Sequence, residues 1–254
     1  MFKFKERILG KNLFIITTKY LLKNNGETKM NLKEIVGKKA AEYVKDGMIV
    51  GLGTGSTVFY FVHALADKVK AGLNIEMVST SIQTVELAKS LGLNIRALED
   101  VDHIDLAVDG VDEIDGNFNA IKGGGAALFR EKIVADIADK VIWIYDESKD
   151  VKKLGNFNLP VEILPFGYSH TIRKLEQMGL NPVLRLKDEK ILVTDNHNYI
   201  VDLHLGYGFD INNVKEKLSN IVGVVEHGLF LNMCKLCIKG TDNGAIVIEN
   251  PNKK

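Results

Sequence analysis

The sequence predicts an α/β protein: a Rossmann-like open sheet of mostly parallel strands with helices on both faces, plus a smaller α+β (ferredoxin-like) domain inserted before the last strands. Two observations predict this fold. Between residues 31 and 145, short apolar runs alternate with amphipathic helical patterns, as in a parallel sheet that is covered on both faces. After about residue 155 the runs become shorter and no longer alternate in this way, which indicates an antiparallel α+β unit.

The first predicted helix begins after Asn31. Apolar residues at helical spacing run from Leu32 to Val44, and Asp46-Gly47 is a good C-terminal signal. Asn31 is the predicted N-cap, and Glu34, three residues later, would complete a capping box.

The predicted α/β part continues as an alternation of strands and helices. Apolar runs predict strands at 48–52, 75–79, 94–98, 104–108 and 141–145. Amphipathic segments predict helices at 58–69, 84–91 and 126–138. Ligands of an open parallel sheet bind at the carboxyl ends of the strands, so a site is expected in the loops after these runs.

The predicted α+β domain covers residues 158–228. It holds predicted helices at 169–178 and 211–218 and predicted strands at 183–186, 190–194, 199–203 and 222–226. The runs at 234–238 and 245–248 are predicted to rejoin the first sheet. The main α/β domain is therefore expected to consist of residues 30–157 and 229–254.

Residues 1–29 differ in composition from the rest and are treated as an N-terminal extension. They carry seven basic and two acidic residues, with one arginine and no serine, and fit neither a secretory signal nor an organelle transit peptide. Met30 directly precedes the predicted helix start. Two interpretations stay open: Met30 is the biological start, or the extension is real and dispensable.

The composition excludes several classes of protein. Thirty-three basic residues balance 33 acidic ones, so no overall charge favours a nucleic acid or an acidic membrane surface as partner. The two cysteines are too few for a disulfide framework and suit a reducing compartment, so the cytoplasm is expected. No apolar run is long enough to span a membrane.

The first glycine-rich cluster is Gly51-Leu52-Gly53-Thr54-Gly55-Ser56-Thr57, after a predicted strand and before a predicted helix. Glycines allow the backbone to approach a ligand closely, and hydroxyl groups with the free N–H groups of a helix N-terminus can bind a phosphate group. The third glycine of a dinucleotide fingerprint is replaced by Ser56, and no acidic residue closes the second strand. A sugar-phosphate cradle is favoured over a dinucleotide site or a purely structural turn.

The second cluster is acidic. The strand that begins near Ile104 runs into Asp109-Gly110-Val111-Asp112-Glu113, with Asp115 shortly after. A solvated loop is one interpretation, and a magnesium site formed by Asp109, Asp112 and Glu113 is another. The position of Asp109 at the carboxyl end of a strand favours a catalytic role.

The third cluster is Lys122-Gly123-Gly124-Gly125, directly before a predicted helix that carries Glu131. Each of three helical glycines would lower the stability of the helix by roughly 1 kcal/mol relative to alanine, so a loop without a functional requirement for glycine is disfavoured. Taken alone, Glu131 is more simply an exposed helical residue paired with Lys132 or another lysine. Lys149, after the strand at 141–145, could reach an anion or be a solvated loop residue.

These motifs together resemble the ribose-5-phosphate isomerase A family. The resemblance rests on residues 51–57, 109–113, 122–127 with Arg130-Glu131-Lys132, and Ser148-Lys149, in this order and spacing. It extends over about residues 31–249 and includes Thr194-Asp195-Asn196 and 223–225. Residues 1–29 have no counterpart in it, and the cysteines near the C-terminus are this chain's own.

The resemblance implies an aldose–ketose isomerase that interconverts D-ribose 5-phosphate and D-ribulose 5-phosphate through an enediolate, without metal or organic cofactor. It implies Glu131 as the base and Asp109 with Lys122 as the pair that opens the sugar ring and handles hydroxyl protons. The implied partners are the sugar phosphate and a second copy of the chain, in a homodimer or a dimer of dimers. The implied substrate-binding residues are Thr54, Gly55, Ser56, Thr57, Asp109, Gly110, Val111, Asp112, Lys122, Gly123, Gly124, Gly125 and Lys149.

Other functions remain to be weighed against this one. An amino-sugar phosphate deaminase and a phosphogluconolactonase also act on sugar phosphates. A sugar-phosphate sensor would keep the phosphate loop without needing a base, and a phosphatase would use the acidic loop to bind magnesium.

The cysteines, the single tryptophan and the histidines are interpreted as residues without a catalytic role. Cys234 and Cys237 are expected to point to opposite faces of a strand and to serve as ordinary apolar residues. Trp143 is expected in the core. The six histidines lie outside the motif loops and receive no catalytic role.

Overall fold

The computed structural model describes residues 31–253. The helices in this part of the chain are α1 (Leu32–Ala41), α2 (Ser56–Lys70), α3 (Ile82–Ser90), α4 (Leu128–Ile137), α5 (Tyr168–Gln177) and α6 (Ile211–Ser219). The strands are β1 (Ile49–Leu52), β2 (Glu76–Ser79), β3 (Leu106–Gly110), β4 (Glu113–Asp115), β5 (Asn119–Ile121), β6 (Val141–Asp146), β7 (Asp150–Val151), β8 (Leu159–Ile163), β9 (Pro182–Leu184), β10 (Leu186–Lys187), β11 (Lys190–Ile191), β12 (Tyr199–Leu203), β13 (Val224–His227), β14 (Leu229–Leu231), β15 (Leu236–Thr241) and β16 (Gly244–Glu249). The interpretations of residues 1–29 lie outside the described residues.

The main sheet has six strands in the order β16-β15-β6-β3-β1-β2. Five neighbouring strands of this sheet run parallel to one another: β2, β1, β3, β6 and β15. The edge strand β16 runs antiparallel to β15. The mostly parallel sheet is confirmed, and the last two strands rejoin it as predicted.

Helices cover both faces of this sheet because successive strand residues point to opposite sides. Val108 of β3 belongs to a buried core with residues of α1 and α2. Its neighbour Ala107 belongs to a second core with Trp143 of β6 and Val134 of α4. By the same alternation, Asp109 lies on the α4 side.

Strands β8, β9, β12 and β13 form a separate antiparallel sheet in the order β13-β8-β12-β9. With α5 after β8 and α6 after β12, the order of elements is βαββαβ, the ferredoxin-like arrangement predicted. Ile163, Leu175 and Leu218 are fully buried in a core on one face. On the other face, Ile200 belongs to the core that contains Val134 of α4, so this face lies toward α4.

A third sheet, in the order β14-β5-β4-β7, was not predicted. Its strands have two or three residues each, too few to show a period of two in the sequence. It matters for the site because β5 leads directly into Lys122.

The predicted strand at 94–98 is wrong. Within the described chain, Arg96 alone in this segment bonds to β2, through its N–H to Met77 O at 2.8 Å. The chain then enters a 3-10 turn at Leu98–Asp100. The Arg96 guanidinium also bonds to the Glu76 carboxylate and to the Asp100 carbonyl, which holds the segment in this turn instead of along the sheet edge.

Some predicted boundaries also change. Asn31 caps α1 by accepting from Glu34 N at 3.4 Å, but the Glu34 carboxylate pairs with Lys38 at 2.6 Å instead of completing a capping box. The helix ends at Ala41, before the predicted stop at Asp46-Gly47.

In the α+β part, the predicted strand at 183–186 is divided between β9 and β10, and the one at 190–194 is shortened to β11. No helix within residues 31–253 has the length and apolar character needed to cross a membrane.

Candidate active site

Two of the predicted loops meet where the parallel strands β1 and β3 end. Gly53 N donates to Val108 O at 2.9 Å, and Thr54 N donates to Asp109 Oδ1 at 3.0 Å. The same oxygen accepts from Gly110 N at 2.7 Å. The backbone after β1 thus fixes the position of the carboxylate at the end of β3.

Lys122 lies between two carboxylates in the protein interior. Its Nζ is 2.9 Å from Asp109 Oδ2 and 3.1 Å from Glu131 Oε2, and it donates to Gly110 O at 2.6 Å. The side chains of Lys122, Asp109 and Glu131 are 3%, 10% and 5% exposed. The interpretation of Glu131 as an exposed helical residue paired with Lys132 is therefore wrong.

Burial and charge tune the acid–base properties of this cluster. Burial alone would lower the pKa of Lys122, but Asp109 and Glu131 outweigh it, so the pKa of Lys122 is raised. Burial, helped by repulsion from Asp109, raises the pKa of Glu131 to about 8 although Lys122 opposes this. Apart from the Lys122 ammonium, no residue of the described chain offers a donor to Glu131 Oε2. Such a carboxylate can both take up and release a proton near neutral pH.

The glycine loop that carries Lys122 is held from two sides. Gly123 has φ of +111°, a conformation that glycine adopts without strain. Gly124 N donates to Asp112 Oδ2 at 2.7 Å, so Asp112 orders the loop. On the other side, Arg185 Nη1 donates to Gly123 O at 2.7 Å. Sequence reasoning missed Arg185, since it lies far along the chain, between β9 and β10.

The loop at 53–57 forms the N-terminus of α2. Gly55, with φ of +105°, is the N-cap, and Ser56 and Thr57 open the helix, where free N–H groups favour an anion. Lys33 Nζ of α1 donates to Ser56 Oγ at 2.9 Å. Sequence reasoning missed Lys33 because it is 23 residues upstream of Ser56. The close approach of α1 to α2 at Gly37 brings it there.

The acidic loop is not solvated. Asp109 and Glu113 are 7% and 2% exposed, and the Glu113 carboxylate accepts from Gly155 N at 2.7 Å and Asn156 N at 3.0 Å. Asp109, Asp112 and Glu113 are each bound by separate N–H or ammonium donors. Within residues 31–253, no group of three or more histidine, cysteine or acidic side chains is arranged to hold a metal ion.

Comparison with known proteins identifies the family. The family model described as ribose 5-phosphate isomerase A (phosphoriboisomerase A) matches residues 76–244. A relative named ribose-5-phosphate isomerase A, from Lactiplantibacillus plantarum, is 52% identical over 219 residues, covering 86% of this chain and 96% of its own. The chain belongs to the ribose 5-phosphate isomerase A family.

Solved structures of ribose 5-phosphate isomerases match the fold of this chain. The ribose 5-phosphate isomerase A from Methanocaldococcus jannaschii is 38% identical, has a TM-score of 0.81, and matches over 86% of this chain and 98% of its own. A D-ribose-5-phosphate isomerase in complex with phospho-erythronic acid is also 38% identical, with a TM-score of 0.82 and coverage of 87% and 100%.

The activity of the chain is that of the ribose 5-phosphate isomerase A family, the interconversion of D-ribose 5-phosphate and D-ribulose 5-phosphate. It is an isomerase that acts on a sugar phosphate, and its family places it in the pentose phosphate pathway. The resemblance inferred from the motif loops is confirmed, and it decides against the deaminase, lactonase, phosphatase and sensor alternatives.

Lys149, a predicted site residue, lies outside the buried cluster of Lys122, Asp109 and Glu131. It lies in the 3-10 turn Glu147–Lys149 after β6, and β6 is the neighbour of β3 in the sheet. Lys149 itself is half-buried. The structure therefore places Lys149 just after the carboxyl end of β6, the strand beside β3.

The expectation for the two cysteines is wrong in its geometry. Cys234 precedes β15, so the alternation of a strand does not apply to it. Both thiols are fully buried, and the two Sγ atoms are 3.7 Å apart. Trp143 is fully buried, as expected.

Proposed function

We propose that Glu131 is the base of the isomerisation, transferring the proton between C2 and C1 of the open-chain sugar phosphate through an enediolate. One base can serve both carbons because they are adjacent in the substrate. The observation that carries this assignment is the buried Glu131 carboxylate, 3.1 Å from Lys122, with its pKa raised to about 8. A base with this pKa is half ionised near the pH at which an enzyme works.

Lys122 and Asp109 form the second part of the mechanism. Because its pKa is raised, Lys122 stays an ammonium and stabilises the negative charge that develops on the enediolate oxygens. Asp109, 2.9 Å from Lys122, exchanges protons with the ring hydroxyl during opening and with the carbonyl oxygen during isomerisation. Asp112 and the backbone of residues 123–125 bind sugar hydroxyls.

The phosphate group is bound by Thr54, Gly55, Ser56 and Thr57 at the start of α2, together with Lys33 and Lys149. Binding energy from this remote group holds the reacting carbons against Glu131. The relative solved with phospho-erythronic acid, a phosphorylated sugar acid, supports a sugar phosphate as the occupant of this site. The residues named here supply donors and charge without a metal or an organic cofactor.

We further propose that residues 30–157 and 229–254 form the catalytic domain and residues 158–228 a smaller domain beside it. We expect a cytoplasmic homodimer or dimer of dimers. The two cysteines, too few for a disulfide framework, support the cytoplasm. Light scattering after gel filtration distinguishes a dimer from a tetramer.

The test is conversion of ribose 5-phosphate to ribulose 5-phosphate in the presence of EDTA by the wild-type chain and by Glu131→Gln. Glu86→Gln, an exposed glutamate of α3, is the matched control. We expect metal-independent turnover by the wild type and by the control, and a loss of about 10²- to 10⁴-fold in Glu131→Gln. Full activity of a folded Glu131→Gln would move the base elsewhere, and Asp109→Asn would then be measured.

A further inference from the structure

The two neighbours of Glu131 in the sequence, Arg130 and Lys132, both reach into the α+β part of the structure. Successive residues of an α-helix are separated by about 100° around the axis, so these side chains leave α4 on either side of Glu131. Their side chains are 34% and 16% exposed. The first turn of α4 is thus contacted on both flanks while Glu131 lies between them.

Arg130 binds a turn that follows β11. Its Nε donates to Asn196 Oδ1 at 2.7 Å, and its Nη2 donates to Asp195 O at 2.8 Å. The Asp195 carboxylate in turn accepts from Ile82 N at 2.7 Å, at the start of α3. One guanidinium therefore connects α4 to this turn, and the turn connects to α3.

This turn is anchored on a fully buried carboxylate, that of Glu162 in β8. Glu162 Oε1 accepts from Thr194 Oγ1 at 3.0 Å, Asn196 Nδ2 at 3.2 Å and Asn198 Nδ2 at 2.9 Å. Charge-assisted hydrogen bonds are among the stronger ones in proteins. Asn196, which accepts from Arg130 Nε, is therefore itself hydrogen-bonded to a buried carboxylate.

Lys132 binds the segment from β13 to β14 on the other flank. Its Nζ donates to Glu226 Oε1 at 2.8 Å and to His227 O at 2.5 Å. Burial lowers the pKa of Lys132. Burial alone would raise the pKa of Glu226, but the neighbouring Lys132 ammonium outweighs it, so the pKa of Glu226 is lowered. His227 beside them stays neutral, because burial and Lys132 lower its pKa to about 4.

The same segment also holds Lys122. Lys122 N donates to Gly228 O at 2.9 Å, one residue beyond the carbonyl that binds Lys132. The ammonium groups of Lys122 and Lys132 lie 5.2 Å and 4.8 Å from the centre of the buried Phe230 ring, within the range of a cation–π contact. Residues 226–230 thus contact both Lys122 and the helix that carries Glu131.

These external contacts matter because α4 begins without support of its own. Its N-cap is Ala127, which offers no side-chain hydrogen bond to the first turn, whereas serine, threonine or aspartate at this place would provide one. Ala126 before it has φ of +59°. Glu131 lies in this uncapped first turn.

We propose that Arg130 and Lys132 are positioning residues that fix the first turn of α4 against the α+β part and so hold the Glu131 carboxylate in register with Lys122. This inference rests on the proposed role of Glu131 as the base. Misplacement of a reacting group by about 1 Å can cost on the order of a hundredfold in rate. Loss of either contact therefore lowers kcat while the phosphate site and KM stay the same.

The experiment uses Lys132→Met, which keeps the length of the side chain, and Asn196→Ala, which removes the acceptor of Arg130 Nε. The matched controls are Lys39→Met, which breaks the exposed pair with Glu42, and Asn243→Ala in the exposed turn between β15 and β16. For each variant, kcat, KM, the pH profile of kcat and Tm are measured. Lys132→Arg, which keeps the charge and the donors, should retain kcat; if Lys132→Met does not fold, Asn196→Ala alone tests the expected loss.

We expect kcat to fall about ten- to a hundredfold in Lys132→Met and Asn196→Ala, with KM changed less than about threefold. The apparent pKa of the base should move down from about 8 toward that of an ordinary glutamate, because a displaced Glu131 is less buried, while the charged groups that face it, Asp109, Asp112 and Lys122, are unchanged. The controls should match the wild type.

A lower Tm with unchanged kcat and pH profile would show a merely structural role and overturn the proposal, and so would an increase in KM alone. The same substitutions are also made in Glu131→Gln. If they act through Glu131, the residual rate of that variant does not fall further. If Glu131→Gln keeps full activity, the proposed base is wrong, and this outcome is distinct from a failure of the positioning role.

Discussion

Gly53 and Asp109 are so close that a Cβ on residue 53 would lie 2.1 Å from Asp109 Oδ1. The neighbouring parallel strands β1 and β3 cause this approach, and the carboxylate accepts the Thr54 N–H at 3.0 Å. Any side chain at residue 53 must therefore displace Asp109 and, with it, the partner of Lys122. The position of the Asp109 carboxylate therefore requires a glycine at residue 53, independently of the turn.

Gly53→Ala should lower kcat by at least tenfold and destabilise the fold by about 1–3 kcal/mol, as overpacking of a filled interior does. Gly116→Ala is the control, because a Cβ there meets nothing within 4 Å. Steady-state kinetics and urea unfolding of the two variants make the comparison. Equal activity of both would mean that Asp109 is not held as the structure shows.

The raised pKa of Glu131 predicts the pH dependence of catalysis. The base must be ionised to take a proton, so kcat/KM should rise with pH through an apparent pKa of about 8. The measurement is kcat/KM between pH 5 and 9 at constant ionic strength. A rate that already reaches its plateau by pH 6 would contradict the assignment.

The same raised pKa predicts a pH dependence of stability. Between pH 4.5 and about 8 the folded state keeps the Glu131 proton and the unfolded state does not, so the free energy of unfolding falls as pH rises, by up to about 1.4 kcal/mol per pH unit. Glu131→Gln cannot lose a proton and should show a smaller slope. Urea unfolding at several pH values tests this, with Glu86→Gln expected to keep the wild-type slope.

Lys33→Ala should weaken binding of the phosphate group, because Lys33 Nζ lies 2.9 Å from Ser56 Oγ at the start of α2. We expect KM to rise about fivefold or more while kcat changes less. Lys38→Ala, on the same helix and paired with Glu34 at the surface, should leave KM unchanged. An unchanged KM in Lys33→Ala would remove Lys33 from the phosphate site.

Arg185→Lys should loosen the glycine loop. Arg185 binds the Asp202 carboxylate with Nε at 2.8 Å and also with Nη2, and its Nη1 reaches Gly123 O. A lysine ammonium cannot make this planar set of contacts. Both kcat and Tm should fall, whereas Arg173→Lys on the exposed face of α5 should behave as the wild type.

The buried thiols predict slow chemical modification. The neighbouring Cys234 and burial raise the pKa of the Cys237 thiol, and both side chains are inaccessible. A chromogenic thiol reagent should modify neither cysteine in the native protein. It should modify both cysteines after the protein is unfolded in urea. Rapid native labelling would show that this part of the core opens readily.

Much of the fold and part of the site could be predicted from local patterns. The alternation of apolar runs and amphipathic helices indicates a parallel sheet, and the motifs carry a family resemblance that implies roles for Asp109, Lys122 and Glu131. Such patterns work because the periods of strands and helices, and the conformational freedom of glycine, are properties of short segments. Strands of two or three residues, such as β7, carry no period and were missed.

The sequence by itself determined the alternation of strands and helices in the main sheet, the position of the glycine loops at strand ends and the family to which the chain belongs. The tertiary structure alone decided that Lys33 lies beside Ser56, that Arg185 holds the glycine loop, and that Arg130 and Lys132 bind the α+β part on either side of Glu131. These contacts join segments far apart along the chain, such as Arg130 and Asn196, 66 residues apart. No local pattern encodes them, because they exist only once the sheets have packed on either side of α4.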